Sequence, residues 1–162
     1  MFLMRKEEAL PDYNYNHILD ITPEDIKEMG AKAVALDLDN TAAEFGSFHL
    51  IDGVKEWTEN MIASGIKVMI ISNTWISRAF ILSRQMGGIA FIPWSLKPLT
   101  ISLRTAARYL DVELSEMAMI GDKLSSDILA ANRAGSIAVK VQPLSALKRN
   151  SEAAQFLFGS AK

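Results

Sequence analysis

The stretch Ala33-Val34-Ala35-Leu36-Asp37-Leu38-Asp39-Asn40-Thr41 decides how the rest of the chain is read. Its continuous apolar run has the character of a strand covered on both faces, and it runs straight into two acids. A single Asp there would mark a strand leaving the core through a solvated turn. Two Asp at i and i+2, followed by Asn and Thr, instead project from one side of an extended chain end, because strand side chains repeat with period two. A core element therefore delivers two carboxylates to one place.

Outward from this stretch, four more apolar runs read as strands: "IKVMIIS", "GIAFI", "EMAMIGD" and "SIAVKV". Segments with apolar residues at helical spacing separate them. In "GVKEWTENMIAS" the spacing predicts one face of Val54, Trp57, Met61 and Ile62. The segment "WISRAFILSRQM" stops at Gly87-Gly88, and "SSDILAANRA" at Gly135. Before the first strand, "PDYNYNH" reads as irregular, and Thr22-Pro23-Glu24-Asp25 opens a short helix with Thr22 as N-cap and Gly30 as stop. Strands alternating with short helices predict an α/β fold, a three-layer, Rossmann-like, doubly wound parallel sheet. Right-handed crossovers then place the C-terminal ends of the strands along one edge, where ligands bind in such folds. The expected organisation is a single domain over 1–162: an N-terminal segment and helix (1–30), a core (31–143) and a C-terminal helix (144–162).

Composition narrows the function. At 162 residues with 49% hydrophobic content, the chain can build a full core without staples. A net charge of −2, with both signs dispersed, offers no footprint for nucleic acid. The absence of cysteine excludes thiolate nucleophiles and Cys-ligated metals and is compatible with a cytoplasmic setting. The opening "MFLMRKEEAL" lacks the basic start and longer apolar region of a signal peptide, so it is expected to be mature sequence.

The strand ends carry Asp37 and Asp39, then Ser72 and Asn73, then Gly121-Asp122. Lys97, in "WSLKPL", can reach the same edge, and Asp127 follows five residues after Asp122. Two carboxylates about 4 Å apart repel by roughly 4 kcal/mol at an effective dielectric near 20, so such a cluster needs cations. Lys97 is one. An all-oxygen donor set with room for water and a phosphate points to Mg²⁺ as the second.

These residues resemble the haloacid dehalogenase-like (HAD) superfamily of aspartate-nucleophile phosphatases. Its D-x-D-x-T signature is similar to Asp37–Thr41, and its strand ending in Ser or Thr to "VMIISN" at Ser72. Its lysine matches Lys97 and its G-D-x-x-x-x-D matches Gly121–Asp127. More narrowly, "ILDITPEDIKEMGAKAVALDLDNT", "SLKP" and "AANRAG" resemble the class IIIA, YqeG-like branch related to phosphatidylglycerophosphate phosphatases.

The resemblance implies Mg²⁺-dependent hydrolysis of a phosphomonoester through an aspartyl-phosphate, with phosphatidylglycerophosphate as the leading substrate. It implies Asp37 as nucleophile and Asp39 as general acid and base, with the Asp39 backbone carbonyl joining Asp37 and Asp122 as metal ligands. Ser72 and Lys97 would hold the phosphoryl oxygens, Asp127 would orient Lys97, and Thr41 and Asn73 would contact substrate, Thr41 and Asn40 also bracing the loop. His17 and His49 receive no role. Arg78 and Arg133 read first as charged helix residues, and Trp57, Trp75 and Trp94 as mostly core, the last two near the site's rim.

The signatures lie too close together for a separate cap domain. An open cleft suits a large substrate or a homo-oligomer that closes it. The apolar-plus-basic ends "MFLMRK" and "LSALKRN…FLF" suggest peripheral contact with the inner membrane face. The alternatives are a receiver-like phosphoacceptor domain, which also uses a strand-end aspartate with Mg²⁺, or a phosphatase for a soluble nucleotide, sugar phosphate or phosphoprotein.

Overall fold

The computed structural model describes residues 7–158. Six strands form one sheet: β1 (Tyr13–Tyr15), β2 (Ala33–Leu36), β3 (Lys67–Ile71), β4 (Phe91–Ile92), β5 (Met117–Gly121) and β6 (Ile137–Val141). Every pairing is parallel, in the spatial order β1-β6-β5-β2-β3-β4. The helices are α1 (Pro23–Glu28), α2 (Val54–Ala63), α3 (Ile76–Gln85), α4 (Ile101–Leu110), α5 (Leu129–Ala134) and α6 (Leu144–Phe158), with a π-helical turn over Leu124–Ile128 leading into α5.

The period of two along the strands divides the core. Val34, Leu36, Val68, Ile70, Ala118 and Ile120 face α1, α2 and α3, packing with Ile26, Trp57, Met61 and Leu82. Their neighbours Ala33, Ala35, Met69, Ile71, Met117 and Met119 face α4 and α5, packing with Leu103, Ala106, Ala130 and Ala131. Both faces are covered, which is why the strands read as continuous apolar runs. From β2 the chain winds outward through β3 and β4, then returns across the sheet to β5 on the other side of β2. The winding reverses between β2 and β5, and the register pairs Leu36 with both Ile70 and Ile120. The residues after β2, β3 and β5 therefore leave the sheet side by side at a topological switch point.

Helix α1 opens as read: the Thr22 side chain accepts from the Asp25 N–H at 3.1 Å, Asp25 returns the bond to the Thr22 N–H at 3.0 Å, and Pro23 is the first helical residue. Two expectations are corrected. "PDYNYNH" is not wholly irregular, because Tyr13–Tyr15 pairs with β6 as an edge strand. Three residues rich in polar side chains carry too little pattern to announce a strand. Ile62 does not share the buried face of α2; Thr58 does, and its hydroxyl donates to the Val54 carbonyl at 2.9 Å, which satisfies it in the core.

No helix among the described residues is long and apolar enough to cross a membrane. Beyond its half-buried first turn, α6 stands exposed from Lys148 to Leu157. The N-terminal piece "MFLMRK" lies outside the described residues.

Trp57 is 6% exposed, and its indole N–H donates to the Ile21 carbonyl at 2.8 Å, tying α2 to the N-terminal segment. Trp57→Ala is expected to cost about 3–5 kcal/mol in urea unfolding, through lost burial and an orphaned carbonyl. Ile62→Ala should stay within about 0.5 kcal/mol of wild type.

Candidate active site

The chain breaks from β2 at Asp37, whose N–H still bonds the Ile120 carbonyl at 3.0 Å and so continues the β2–β5 ladder for one more residue. A tight coil follows. The Leu38 carbonyl accepts the N–H groups of Thr41, Ala42 and Ala43 at 3.1, 3.0 and 3.0 Å, and Asn40 takes a left-handed φ of 56°. Asn tolerates that conformation better than most residues, which gives Asn40 a backbone reason to stand there. Asp37 and Asp39 both line the cleft that opens above the strand ends.

Lys97 comes to Asp37 from the loop after β4. Its ammonium donates to Asp37 Oδ1 at 2.9 Å, Asp127 Oδ1 at 2.6 Å and the Ile71 carbonyl at 2.8 Å. An ammonium has three protons, and all three are used. Lys97 thus neutralises two acids, and would bind a phosphoryl oxygen only by exchanging one of these partners. Asn73 holds the loop in place: its Oδ1 accepts from the Lys97 N–H at 3.0 Å and the Ser95 hydroxyl at 2.6 Å, while its Nδ2 donates to the Lys97 carbonyl at 3.1 Å.

Asp127 Oδ2 accepts the Lys123 N–H at 3.2 Å, so both of its oxygens are engaged within the protein. The approach is possible because residue 121 is Gly: a Cβ there would stand 2.3 Å from the Asp127 carboxylate. Asp37, Asp122 and Asp127 present oxygens within 4.8 Å of one another.

Burial, and next the Asp127 charge, push the Asp37 carboxyl up to about 7 against the pull of Lys97. The same two causes push Asp122 up to about 6. Burial opposes the charge on Lys97, yet Asp37 and Asp127 together outweigh it and hold the ammonium above the usual lysine range. With all three acids ionised, Lys97 alone would leave two negative charges uncompensated, and the Lys140 side chain on the cleft wall acts on Asp122 only weakly. A hard divalent cation fits that excess and the oxygen donors: Asp127 has both oxygens engaged within the protein, whereas Asp37 keeps one oxygen beyond its bond to Lys97, and Asp122 makes no ion pair among the described residues.

The cleft encloses about 920 Å³ and is lined by Asp37, Asp39, Ser72, Asn73, Lys97, Asp122 and Asp127 among others. Ser72 is 1% exposed, and its hydroxyl has no partner among the described residues. A buried hydroxyl without a partner at the floor of a cleft is a donor waiting for a ligand. Thr41 is also buried with an unpartnered hydroxyl but does not line the cleft; Asn40 does. Trp75 and Trp94 are exposed on neighbouring loops rather than core, while Trp57 is core. Arg133 pairs with Glu7 on the surface, away from the cleft. The residue that the sequence reading underrated is Arg78, which is fully buried and bonds Asp39. Its signal was its place on the inward stripe of α3 with Ala79, Leu82 and Ser83.

Because Asp37 and Asp122 titrate above the ordinary carboxylate range in the fold, the metal-free protein binds extra protons there. Stability contributed by their neutral forms is lost as pH rises through about 6 and 7. In chelator, thermal midpoints should therefore fall from about pH 5.5 to about pH 8, and Asp122→Asn should flatten the fall. Added Mg²⁺ should raise the midpoint more at the higher pH; calorimetry at the two pH values checks both.

A HAD-hydrolase-like family model matches residues 96–143, a segment that includes Lys97, β5, Asp122, Asp127 and β6. The chain is 36% identical over 141 residues to Probable phosphatase YqeG of Bacillus subtilis (strain 168), covering 87% of this chain and 81% of that protein. Solved structures share the fold. A HAD-superfamily hydrolase from Ehrlichia chaffeensis superposes with a TM-score of 0.51 at 20% identity, over 63% of this chain and 57% of that one. A probable YrbI-family phosphatase from Pseudomonas syringae pv. phaseolica 1448a gives a TM-score of 0.53 at 14% identity, over 85% and 93%. With the acids, the lysine and the glycine-aspartate turn meeting at one switch point, the chain belongs to the HAD-like superfamily of hydrolases, in the family of YqeG.

Proposed function

We propose that the chain is a Mg²⁺-dependent phosphomonoester hydrolase that works through an aspartyl-phosphate on Asp37. The observation that carries this reading is the buried Lys97 ammonium shared by Asp37 and Asp127, with the Asp122 carboxylate beside them and a Ser72 hydroxyl that has no partner among the described residues. Phosphoryl transfer asks for positioning and charge neutralisation, and this arrangement supplies both.

Asp37 Oδ1 is taken by Lys97, which leaves Oδ2 to attack phosphorus. As the O–P bond forms, the bond to the leaving oxygen breaks and Asp39 gives that oxygen its proton. Asp39 then takes a proton from water, whose oxygen attacks the same phosphorus and releases Asp37 with inorganic phosphate. Ser72 donates to a phosphoryl oxygen. Asn73 acts through its hold on Lys97 and by lining the cleft; Thr41 braces the loop from below. Mg²⁺, held by the Asp37 and Asp122 carboxylates and the Asp39 carbonyl, would neutralise charge on the phosphoryl group. Asp39 keeps its carboxylate for the proton because Arg78 and the Gly46 N–H hold one of its oxygens, at 2.8 and 3.0 Å.

For the substrate we favour phosphatidylglycerophosphate, at the inner membrane face. The cleft is open, and no separate lid is inserted among the described residues. Phe45 and Leu124 line its mouth while largely exposed, and Trp75, Trp94 and Leu96 are exposed on adjoining loops. Such side chains suit a bilayer surface, as does the exposed α6 with Lys148, Arg149, Phe156 and Leu157. The same features would serve a homo-oligomer covering the cleft, and a large soluble phosphomonoester is the second reading.

Asp37→Asn is expected to abolish turnover while far-UV circular dichroism shows the fold retained, and chelation to remove activity that Mg²⁺ restores. Asp39→Asn should fail on alkyl phosphates yet form some phosphoenzyme from p-nitrophenyl phosphate. Retained turnover in the first variant, or equal loss across leaving groups in the second, contradicts the mechanism. Offered in mixed micelles beside sugar phosphates, nucleotides and a phosphopeptide, phosphatidylglycerophosphate should show the highest kcat/KM. A soluble ester that is turned over more efficiently would remove the lipid reading alone.

A further inference from the structure

Arg78 is the largest side chain with no exposed surface, and it stands in the first turn of α3. Burying a guanidinium costs several kcal/mol unless its donors are satisfied, so its partners say what it is for. Nη2 lies 2.8 Å from Asp39 Oδ1 and 3.4 Å from the Glu44 carbonyl. Nε donates to the Ser47 carbonyl at 2.7 Å, and Nη1 to the Thr74 hydroxyl at 3.2 Å. The Trp75 ring stands over the same group, 5.9 Å from its carbon, and stacks edge-on with Phe48. One planar fork thus joins the end of β2, the 44–47 loop and the start of α3.

We propose that Arg78 is a positioning residue for the proton-transferring carboxylate, fixing Asp39 through Oδ1 so that Oδ2 alone is presented to the reacting oxygen. The inference rests on the reading of Asp39 as general acid and base. A carboxylate free to turn about its last bond presents either oxygen, and proton transfer needs one oxygen within hydrogen-bond reach of the leaving group. Two donors on Oδ1, from Arg78 and from the Gly46 N–H, remove that freedom. The Glu44 and Ser47 carbonyls hold the guanidinium against the loop that supplies Gly46, so the two donors share one support. A rigid fork meets these separated acceptors at once; a lysine's compact ammonium does not. The loop 42–50 accordingly forms the second wall of the clamp on Asp39.

The test compares Arg78→Met and Arg78→Lys with Asp39→Asn and with the Asp39→Asn/Arg78→Lys double variant, each assayed at equal folded fraction. Arg78→Lys keeps the buried charge and serves if the methionine variant does not fold. Substrates are an alkyl phosphate and p-nitrophenyl phosphate, with the phosphorylation burst and the release of phosphoenzyme followed separately. We expect kcat on the alkyl ester to fall about a hundredfold in Arg78→Met, and in the same direction in Arg78→Lys, with KM unchanged. The burst on p-nitrophenyl phosphate should be largely spared, phosphoenzyme should accumulate, and the double variant should be no slower than Asp39→Asn alone. Equal loss on both esters, unchanged kinetics, or additive losses in the double variant overturn the proposal. If Asp39→Asn itself shows no leaving-group dependence, the reading beneath the proposal fails instead.

Discussion

The three-way hold on the Lys97 ammonium is the constraint on which the site depends. It joins the ends of three core strands: Asp37 after β2, the Ile71 carbonyl at the end of β3, and Asp127 in the turn after β5. None of these could be drawn to the others without a cation, since Asp37 and Asp127 are both buried acids. The lysine is in turn fixed at both of its backbone polar groups by Asn73. A polar residue from one strand end thereby sets the position of a charge that serves another.

The acids sort into two electrostatic groups with different duties. Asp39 pairs with Arg78, and its carboxylate is not among the three whose oxygens cluster. Asp37 and Asp127 share the Lys97 ammonium, and Asp122 stands beside them without an ion pair of its own among the described residues. That division sets two aspartates separated by one leucine in unlike surroundings: the period of the strand sends both toward the cleft, and the partners waiting there differ. Gly121 belongs to the same design, because only a residue without a side chain lets Asp127 come close enough to reach both Lys97 and the Lys123 N–H.

Much of this was legible in the sequence because the sheet is buried on both faces. Continuous apolar runs such as Val68–Ile71 mark parallel strands, and the polar residues that follow them must gather at one edge, so Asp37, Ser72 and Asp122, with Lys97 from a neighbouring loop, were readable together. Other features depended on tertiary partners that no local pattern announces. Tyr13–Tyr15 becomes a strand only because β6 offers an unpaired edge. Ile62 points outward although Met61 beside it is buried, since a stripe of helix faces the sheet and 62 falls just outside it. Thr41 reads as a substrate contact from its place in the signature, but the coil closed by Leu38 turns it beneath the floor. Arg78 reads first as a charged helix residue, and what holds it inside is a set of partners that includes Asp39 and a loop carbonyl 31 residues away.

The placement of β2 between β3 and β5 also governs when the site can come into being. The carbonyl that anchors Asp37 belongs to Ile120, and the second acid on Lys97 is Asp127, 90 positions after Asp37 in the chain. Parallel pairing over such separations is slow, because a long loop must close before its contacts are formed. A nascent chain that has released only β2, β3 and β4 thus carries Asp37 on an open sheet edge, without the neighbour that completes the pocket. Only once β5 and the turn that follows it, with Asp122 and Asp127, have left the ribosome can the cleft be assembled.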